Sequence, residues 1–200
     1  MERLLEIEGE SACRDNSLKT SSGNLILIGM MGSGKTTMGR TLARHLGKNF
    51  VDSDQEIQKR TGVNIPYIFD IEGESGFRER ETNVLAELVR HNNIVLATGG
   101  GAILAEKNRL LLQRTGIVIY LKAAVNDLWH RTHHDKNRPL LQTKDPYGKL
   151  TEIYQLRDPI YQQVADIIIQ SGKQSVHSLM LTLVAEIERF QHDHEVATKS

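Results

Sequence analysis

The residues best suited to chemistry in this chain lie in the nonapeptide GMMGSGKTT at 29–37. Gly29 and Gly34 bracket four residues, and Lys35 and Thr36 follow at once. That is the spacing of a phosphate-binding loop when a strand leads in and a helix leads out. Glycines let the backbone close in until its N–H groups point at phosphate oxygens beside a helix N-terminus. Lys35 would bring positive charge to the β- and γ-phosphates, and Thr36 a hydroxyl to Mg²⁺. Gly32, Ser33, Gly34, Lys35, Thr36 and Thr37 are therefore candidate nucleotide-binding residues, and the expected ligand is ATP. A guanine nucleotide is disfavoured. DIEG at 70–73 formally fits Asp-x-x-Gly, but no Asn/Thr-Lys-x-Asp reader occurs, and the surrounding YIFDIEGE does not look like a strand end.

Other clusters could complete a phosphoryl-transfer site. Asp52 and Asp54, in VDSD, close a short apolar run. On an extended chain residues i and i+2 share a face, so both carboxylates could enter one cleft. One would hold a metal hydration shell while the other approaches an acceptor hydroxyl. Asp54 could equally cap the following helix, and the two roles are compatible. NIVLATGGGAIL, at 93–104, ends an apolar run in Gly99, Gly100 and Gly101, where many nucleotide hydrolases place an acid. Arg78 in GFRERE, Arg138 before Pro139, and Arg157 at a helix break expected from Pro159 each read, taken singly, as solvated surface charges. His130 and His134 are helical i, i+4 neighbours in HRTHH. The Glu of the zinc-protease pattern is missing there, which argues against a zinc site.

These residues must be positioned by regular elements. Apolar, β-branched runs at 24–29, 49–54, 93–99, 116–122 and 166–172 predict strands covered on both faces. Helical patterns at 35–46, 53–61, 75–91, 104–114, 124–133, 149–164 and 175–191 lie between and after them. The alternation predicts a parallel sheet between helical layers, with ligands beyond the carboxyl ends of the strands. The polar segment 132–149, with two prolines, predicts a mobile surface excursion. Residues 1–23 and 192–200 read as tails.

The 200 residues suit one domain, with 25 basic and 25 acidic side chains and a hydrophobic share of 39%. A balanced charge offers no bulk attraction to nucleic acid. The single cysteine, Cys13, rules out an intrachain disulfide. No apolar run is long enough to span a membrane. The expectation is a soluble, cytoplasmic chain.

Taken in order, GMMGSGKTT, VDSD, IFDIEGESGFRERE, VLATGGGA, RPLL and LRDPIY resemble a shikimate kinase, from about Leu25 to about Phe190. This family lies within the nucleoside-monophosphate-kinase-like branch of P-loop proteins. The resemblance implies a three-layer α/β/α sandwich with a five-stranded parallel sheet at 24–191 and a mobile lid at about 132–149. It implies transfer of the ATP γ-phosphate to the 3-hydroxyl of shikimate, on the route to chorismate and the aromatic amino acids, with Mg²⁺ as cofactor. By position, Asp54 resembles the residue that binds the ring hydroxyls and is the candidate base. Arg78 and Arg157 resemble the pair gripping the shikimate carboxylate, and Gly99, Gly100 and Gly101 the backbone floor beneath the ring. Asp52 looks like the residue serving the Mg²⁺ shell, with Thr36 a direct ligand. Arg131 resembles the adenine-stacking arginine, Arg138 the catalytic lid arginine, and Gln174 a position near the adenine. A monomer with no nucleic-acid or membrane partner is implied.

On this reading, a side chain at 99–101 would occupy space the acceptor needs, whereas glycine permits close backbone approach. Two readings compete. Another small-molecule kinase of the branch, such as a gluconate kinase, should not need GFR, TGGG and LRDP together. A catalytically silent nucleotide-binding regulator has no chemical need for Lys35, Thr36, Asp52 and Asp54 at once.

Overall fold

A computed structural model of the chain describes residues 23–135, 138–172 and 174–198. All but the last residue of the tail expected at 1–23 lies outside them. Strands β1 (Leu25–Ile28), β2 (Asn49–Asp52), β3 (Ile94–Ala97), β4 (Ile117–Lys122) and β5 (Ile167–Gln170) form one parallel sheet in the order β2-β3-β1-β4-β5. Around it lie α1 (Lys35–Leu46), α2 (Ser53–Thr61), α3 (Ile65–Leu88), α4 (Glu106–Thr115), α5 (Val125–Thr132), α6 (Pro146–Val164) and α7 (Val176–Thr198). Short 3₁₀ turns occupy Ala102–Leu104 and Pro139–Leu141.

The strands lack a polar face because alternate residues enter two different cores. Leu25, Leu27, Val95, Ile117, Ile119 and Leu121 pack with Met38 and Leu42 of α1 and Leu183 of α7. Ile26, Ile28, Leu96, Val118 and Tyr120 face the other way, toward Leu85 of α3, Leu112 of α4 and Tyr161 of α6. The result is the expected α/β/α sandwich. The edge strand β5 departs from the prediction of two covered faces: Ile167 and Ile169 are buried, but Ile168 is exposed.

The chain leaves β1 for β2 on one flank, returns to β3 beside β1, and then crosses to β4 on the other flank. That reversal opens a crevice at the carboxyl end of β1. Buried Asn24 fixes the register below it. Its Oδ1 accepts from Ile94 N–H at 3.1 Å and its Nδ2 donates to the His91 carbonyl at 2.7 Å. Above it, Thr98 N–H donates to the Leu27 carbonyl at 3.1 Å, so residues 99–101 emerge beside the loop that follows β1.

Other boundaries differ from the sequence expectations. The helix predicted at 75–91 starts earlier, at Ile65, because Asn64 caps it by accepting from Tyr67 N–H and Pro66 suits its first turn. It kinks at Gly73 (φ 70°, ψ −179°). Pro159 does not break α6: the helix runs through it, with Ile153, Arg157, Tyr161 and Val164 all buried on either side. Packing thus outweighs the lost backbone hydrogen bond. Beyond 191 helix α7 continues to Thr198 rather than ending in a tail. No glycine or proline interrupts it, and Phe190 packs edge-on to His194 with ring centroids 4.2 Å apart.

Gly39 sets how closely α1 approaches the sheet. A Cβ there would lie 2.5 Å from Phe50 Cε2 and 3.2 Å from Leu27 Cδ1. Alanine ordinarily stabilises a helix interior by roughly 0.5–1 kcal/mol relative to glycine. Here overpacking of about 1–3 kcal/mol outweighs that gain, so Gly39→Ala should lower Tm, and adding Phe50→Leu should recover part of the loss. A Tm equal to or above that of the parent would show that the contact is soft.

Candidate active site

The loop after β1 is shaped by three glycines with left-handed φ: Gly29 (142°), Gly32 (78°) and Gly34 (95°). Close packing also excludes side chains at two of them, since a Cβ at Gly29 would lie 2.7 Å from the Leu121 carbonyl and one at Gly32 2.6 Å from Thr132 Cγ2. Gly34 precedes α1, and no side chain caps that helix. Its first-turn N–H groups therefore remain available to an anion. The Lys35 ammonium curls back onto the loop, donating to the carbonyls of Gly29 at 2.8 Å and Met30 at 2.9 Å. Burial pushes its pKa down to about 8, against the opposing pull of Asp54 and Asp52.

At the end of β2 the chain turns directly into α2, so Asp54 stands on a helix rather than on an extended strand. The shared-face argument therefore does not apply to this pair. Asp52, not Asp54, is the cap: its Oδ1 accepts from the N–H groups of Asp54 at 3.1 Å and Gln55 at 3.2 Å. Its other oxygen accepts from Thr36 Oγ1 at 2.7 Å. Asp52 and Thr36 thus form a pair of hard oxygen donors beside the loop, and both line the same cleft.

Asp54 is held differently. Its Oδ1 is buried with no hydrogen-bond partner among the described residues, and so is Glu81 Oε1. A Cβ on Gly99 would lie 2.7 Å from that Asp54 oxygen and would collide with the Glu81 one, so the two carboxylates are neighbours over bare backbone. Burial, then the charges of Glu81 and Asp52, push the Asp54 pKa up to about 7 despite Lys35 and Arg78. Burial also raises that of Glu81, against the opposing effect of Arg78.

Arg78 donates to Glu81 Oε2 at 2.8 Å and to Glu74 Oε1 at 2.9 Å. Its guanidinium lies where a Cβ of residue 101 would be. Arg157, from α6, is only 4% exposed, so it is no solvated surface charge. Arg138 pairs with Asp135 at 2.9 Å. Arg131 donates to the carbonyls of Gly32 at 3.1 Å and of Ser171 and Gly172 at 3.0 Å each, tying the phosphate loop to the turn after β5.

Every site residue expected from the sequence lines one of three adjoining cavities. One, of about 110 Å³, is bounded by Arg78, Arg157, Asp54 and residues 99–101. The second, of about 730 Å³, holds Lys35, Thr36 and Asp52. Only the latter has a volume suited to a nucleotide. Asp54, Gly100 and Arg138, with Met31 and Ile65, border both, so they form the wall between them. Gln174 lies in the third with Arg131, Ser33 and Thr37.

Glu81 was not anticipated, although its position carries a signal. It falls on the buried stripe of α3 with Phe77, Val84, Leu85 and Leu88, and a charge in such a stripe needs a partner. Ser53, whose Oγ accepts from Gly99 N–H at 2.9 Å, and Tyr161 were also unforeseen. His133 packs against His134, with ring centroids 3.7 Å apart, and lies edge-on to His130 at 6.4 Å. Among the described residues no group of three His, Cys, Asp or Glu side chains could hold a metal.

Comparison with known proteins agrees with this geometry. The shikimate kinase family model matches residues 31–188. A shikimate kinase of Nitrosospira multiformis is 54% identical over 183 residues, 92% of this chain and 91% of its own. One of Nitrosococcus oceani is 56% identical over 168 residues, 84% of this chain and 88% of its own. The shikimate kinase from Acinetobacter baumannii solved in complex with shikimate matches with a TM-score of 0.81 at 48% identity, covering 83% of this chain and 93% of that one. With a phosphate loop, a second pocket sharing its wall residues, and relatives of this identity along most of its length, the chain belongs to the shikimate kinase family of ATP-dependent small-molecule kinases.

Proposed function

We propose that this chain transfers the γ-phosphoryl group of ATP to the 3-hydroxyl of shikimate, giving shikimate 3-phosphate and ADP on the route to chorismate and the aromatic amino acids. One observation carries the choice of acceptor. The smaller cavity sets two arginines, Arg78 and Arg157, and two carboxylates of raised pKa, Asp54 and the Arg78-paired Glu81, around a glycine floor. A small acid bearing hydroxyls needs that set: guanidinium pairs for its carboxylate and an acceptor for its hydroxyl protons. A neutral acceptor would give the two arginines no anion to hold beyond Arg78's own Glu81 and Glu74.

The 3-hydroxyl oxygen attacks the γ-phosphorus in line as its O–H bond breaks and the proton passes to Asp54. The bond from that phosphorus to the β–γ bridging oxygen breaks, and ADP leaves with the electron pair. Lys35 and the N–H groups of the loop balance charge on the β- and γ-phosphates. Arg131 and Gln174 flank the adenine, and Arg138, on the wall between the two cavities, reaches the transferring group as the lid closes. Excluding water keeps it from accepting the phosphoryl group.

Thr36 and Asp52 would hold Mg²⁺, directly and through its water shell. Two oxygen donors beside a phosphate loop suit a hard ion that keeps most of its ligands as water and phosphate. The ion would neutralise phosphate charge when bound. The working form is read as a cytoplasmic monomer; among the described residues no helix is long and apolar enough to cross a membrane.

ADP release from Mg·ATP should depend on shikimate and be absent with gluconate or no acceptor; no turnover at all would favour the silent-regulator reading instead, and hydrolysis indifferent to acceptor would remove shikimate as the acceptor. Arg78→Ala should raise the KM for shikimate about 10- to 100-fold, the worth of a charged hydrogen bond, with the KM for ATP little changed. An equal rise for both would break the division of the cleft. Arg138→Ala should lower kcat by ~10³-fold, and a near-normal kcat would remove Arg138 from the transition state.

Asp54 also makes a stability prediction for the ligand-free protein. Its pKa lies at about 7, against an ordinary 3.8, so between those values the folded chain keeps a proton that the unfolded chain has lost. Its contribution to stability is therefore fully present below the ordinary value and is lost as pH rises toward 7. Asp54→Asn, which cannot ionise, should have a higher Tm than the parent at pH 8, with the gap closing toward pH 4, and a kcat lower by roughly 10²–10⁴-fold. A gap independent of pH would mean that Asp54 ionises normally.

A further inference from the structure

Tyr161, on α6, belongs to none of the roles above, yet its hydroxyl touches two parts of the site. The side chain is fully buried. Its Oη donates to the Gly100 carbonyl at 2.5 Å and lies 3.9 Å from Met30 Sδ, in the phosphate loop. Arg157 lies one turn earlier on the same buried face of α6, and its charge acts on the hydroxyl. The phenolic proton goes to Gly100, so the helix that carries Arg157 is tied through Tyr161 to the glycine floor of the smaller cavity.

Two features hold the ring. It stacks on Tyr120 with centroids 4.8 Å apart and planes inclined by 25°. Tyr120 in turn donates to Asp158 at 2.7 Å, and Lys122 and Gln162 donate to the same carboxylate at 3.0 and 2.7 Å. The hydroxyl is therefore delivered by a ring with little freedom to turn. Fixing the Gly100 carbonyl also fixes the trans peptide plane it belongs to, and with it the direction of the Gly101 N–H. Gly101 N–H has no protein acceptor among the described residues.

We propose that Tyr161 is a positioning residue for the acid acceptor. Its hydroxyl sets the spacing between Arg157 and the Gly100–Gly101 peptide, and so the fit of the acceptor's carboxylate end. This rests on the phosphotransfer reading above. Losing the hydroxyl leaves the ring, its stacking and the phosphate loop in place, but frees Arg157 and the peptide to settle independently.

The test compares Tyr161→Phe with Tyr120→Phe and the parent, in steady-state assays varying shikimate and ATP separately. Tyr120→Phe also deletes one buried hydroxyl from the same stack, but one that points to Asp158 and away from the cavity. Tyr161→Phe should raise the KM for shikimate about tenfold, the worth of one buried hydrogen bond, leave that for ATP within about twofold, and lower Tm no more than Tyr120→Phe does. Combined with Arg157→Lys, it should add less than its single effect, because both act on one contact. An unchanged KM for shikimate, or a parallel change in both KM values, or an equal effect from Tyr120→Phe, would overturn the assignment. A parent enzyme without shikimate-dependent turnover would instead overturn the function on which it rests.

Discussion

The site depends on an absence of side chains at one place, the three residues that follow β3. Glu81 and Asp54 approach Gly99, Arg78 lies against Gly101, and Tyr161 reaches the Gly100 carbonyl. A single methyl group at either outer position would occupy space already held by a charged group. Conformation is not the reason for glycine here. Gly101 has φ −97°, open to any residue, and none of the three is among the glycines with left-handed φ. The phosphate loop needs glycine first for its backbone, since Gly29, Gly32 and Gly34 all hold left-handed φ, with crowding added at the first two. Two glycine clusters on adjacent strands thus answer to different physics, and between them they bring both substrates' binding groups to one crevice.

The same crowding explains the charge states. Lys35, Asp54, Glu81 and Arg157 are all withdrawn from water, and burial is the first cause of the shifts at the first three. Among the described residues Asp54 Oδ1 and Glu81 Oε1 have no hydrogen-bond partner, a cost the two-sided core must offset. Such groups are stabilised only when a ligand supplies the missing partners. Phosphates suit Lys35, hydroxyl protons suit Asp54, and a carboxylate suits the two arginines. The resting protein is therefore built against its own stability where the proposed acceptor would sit.

Much of this was legible in the sequence. Walker spacing located the phosphate loop, and short apolar runs located all five strands: β1, β3 and β4 are buried on both faces, which leaves one composition available, while the edge strands β2 and β5 are only partly covered. What escaped depended on contacts between distant segments. The shift of Asp54 from strand to helix follows from Asp52 capping α2, which a local pattern does not reveal when two aspartates compete for the role. Pro159 reads as a break until its helix is seen pinned by buried Ile153 and Tyr161. The triple glycine reads as a floor for a ligand, yet what fills the missing Cβ positions at 99 and 101 is the protein's own Glu81, Asp54 and Arg78. Glu81 was the one residue visible in principle, as a lone charge on the apolar stripe of α3.

Glycine at 101 serves Arg78 rather than the backbone, and Gly101→Ala tests this most directly, because its φ of −97° accepts alanine without strain. Calorimetric titration of that variant with shikimate, and separately with an ATP analogue, should show shikimate affinity falling by about tenfold or more while nucleotide affinity holds. Unaltered shikimate affinity in a folded variant would contradict the claim, since the guanidinium would then have found another place to lie.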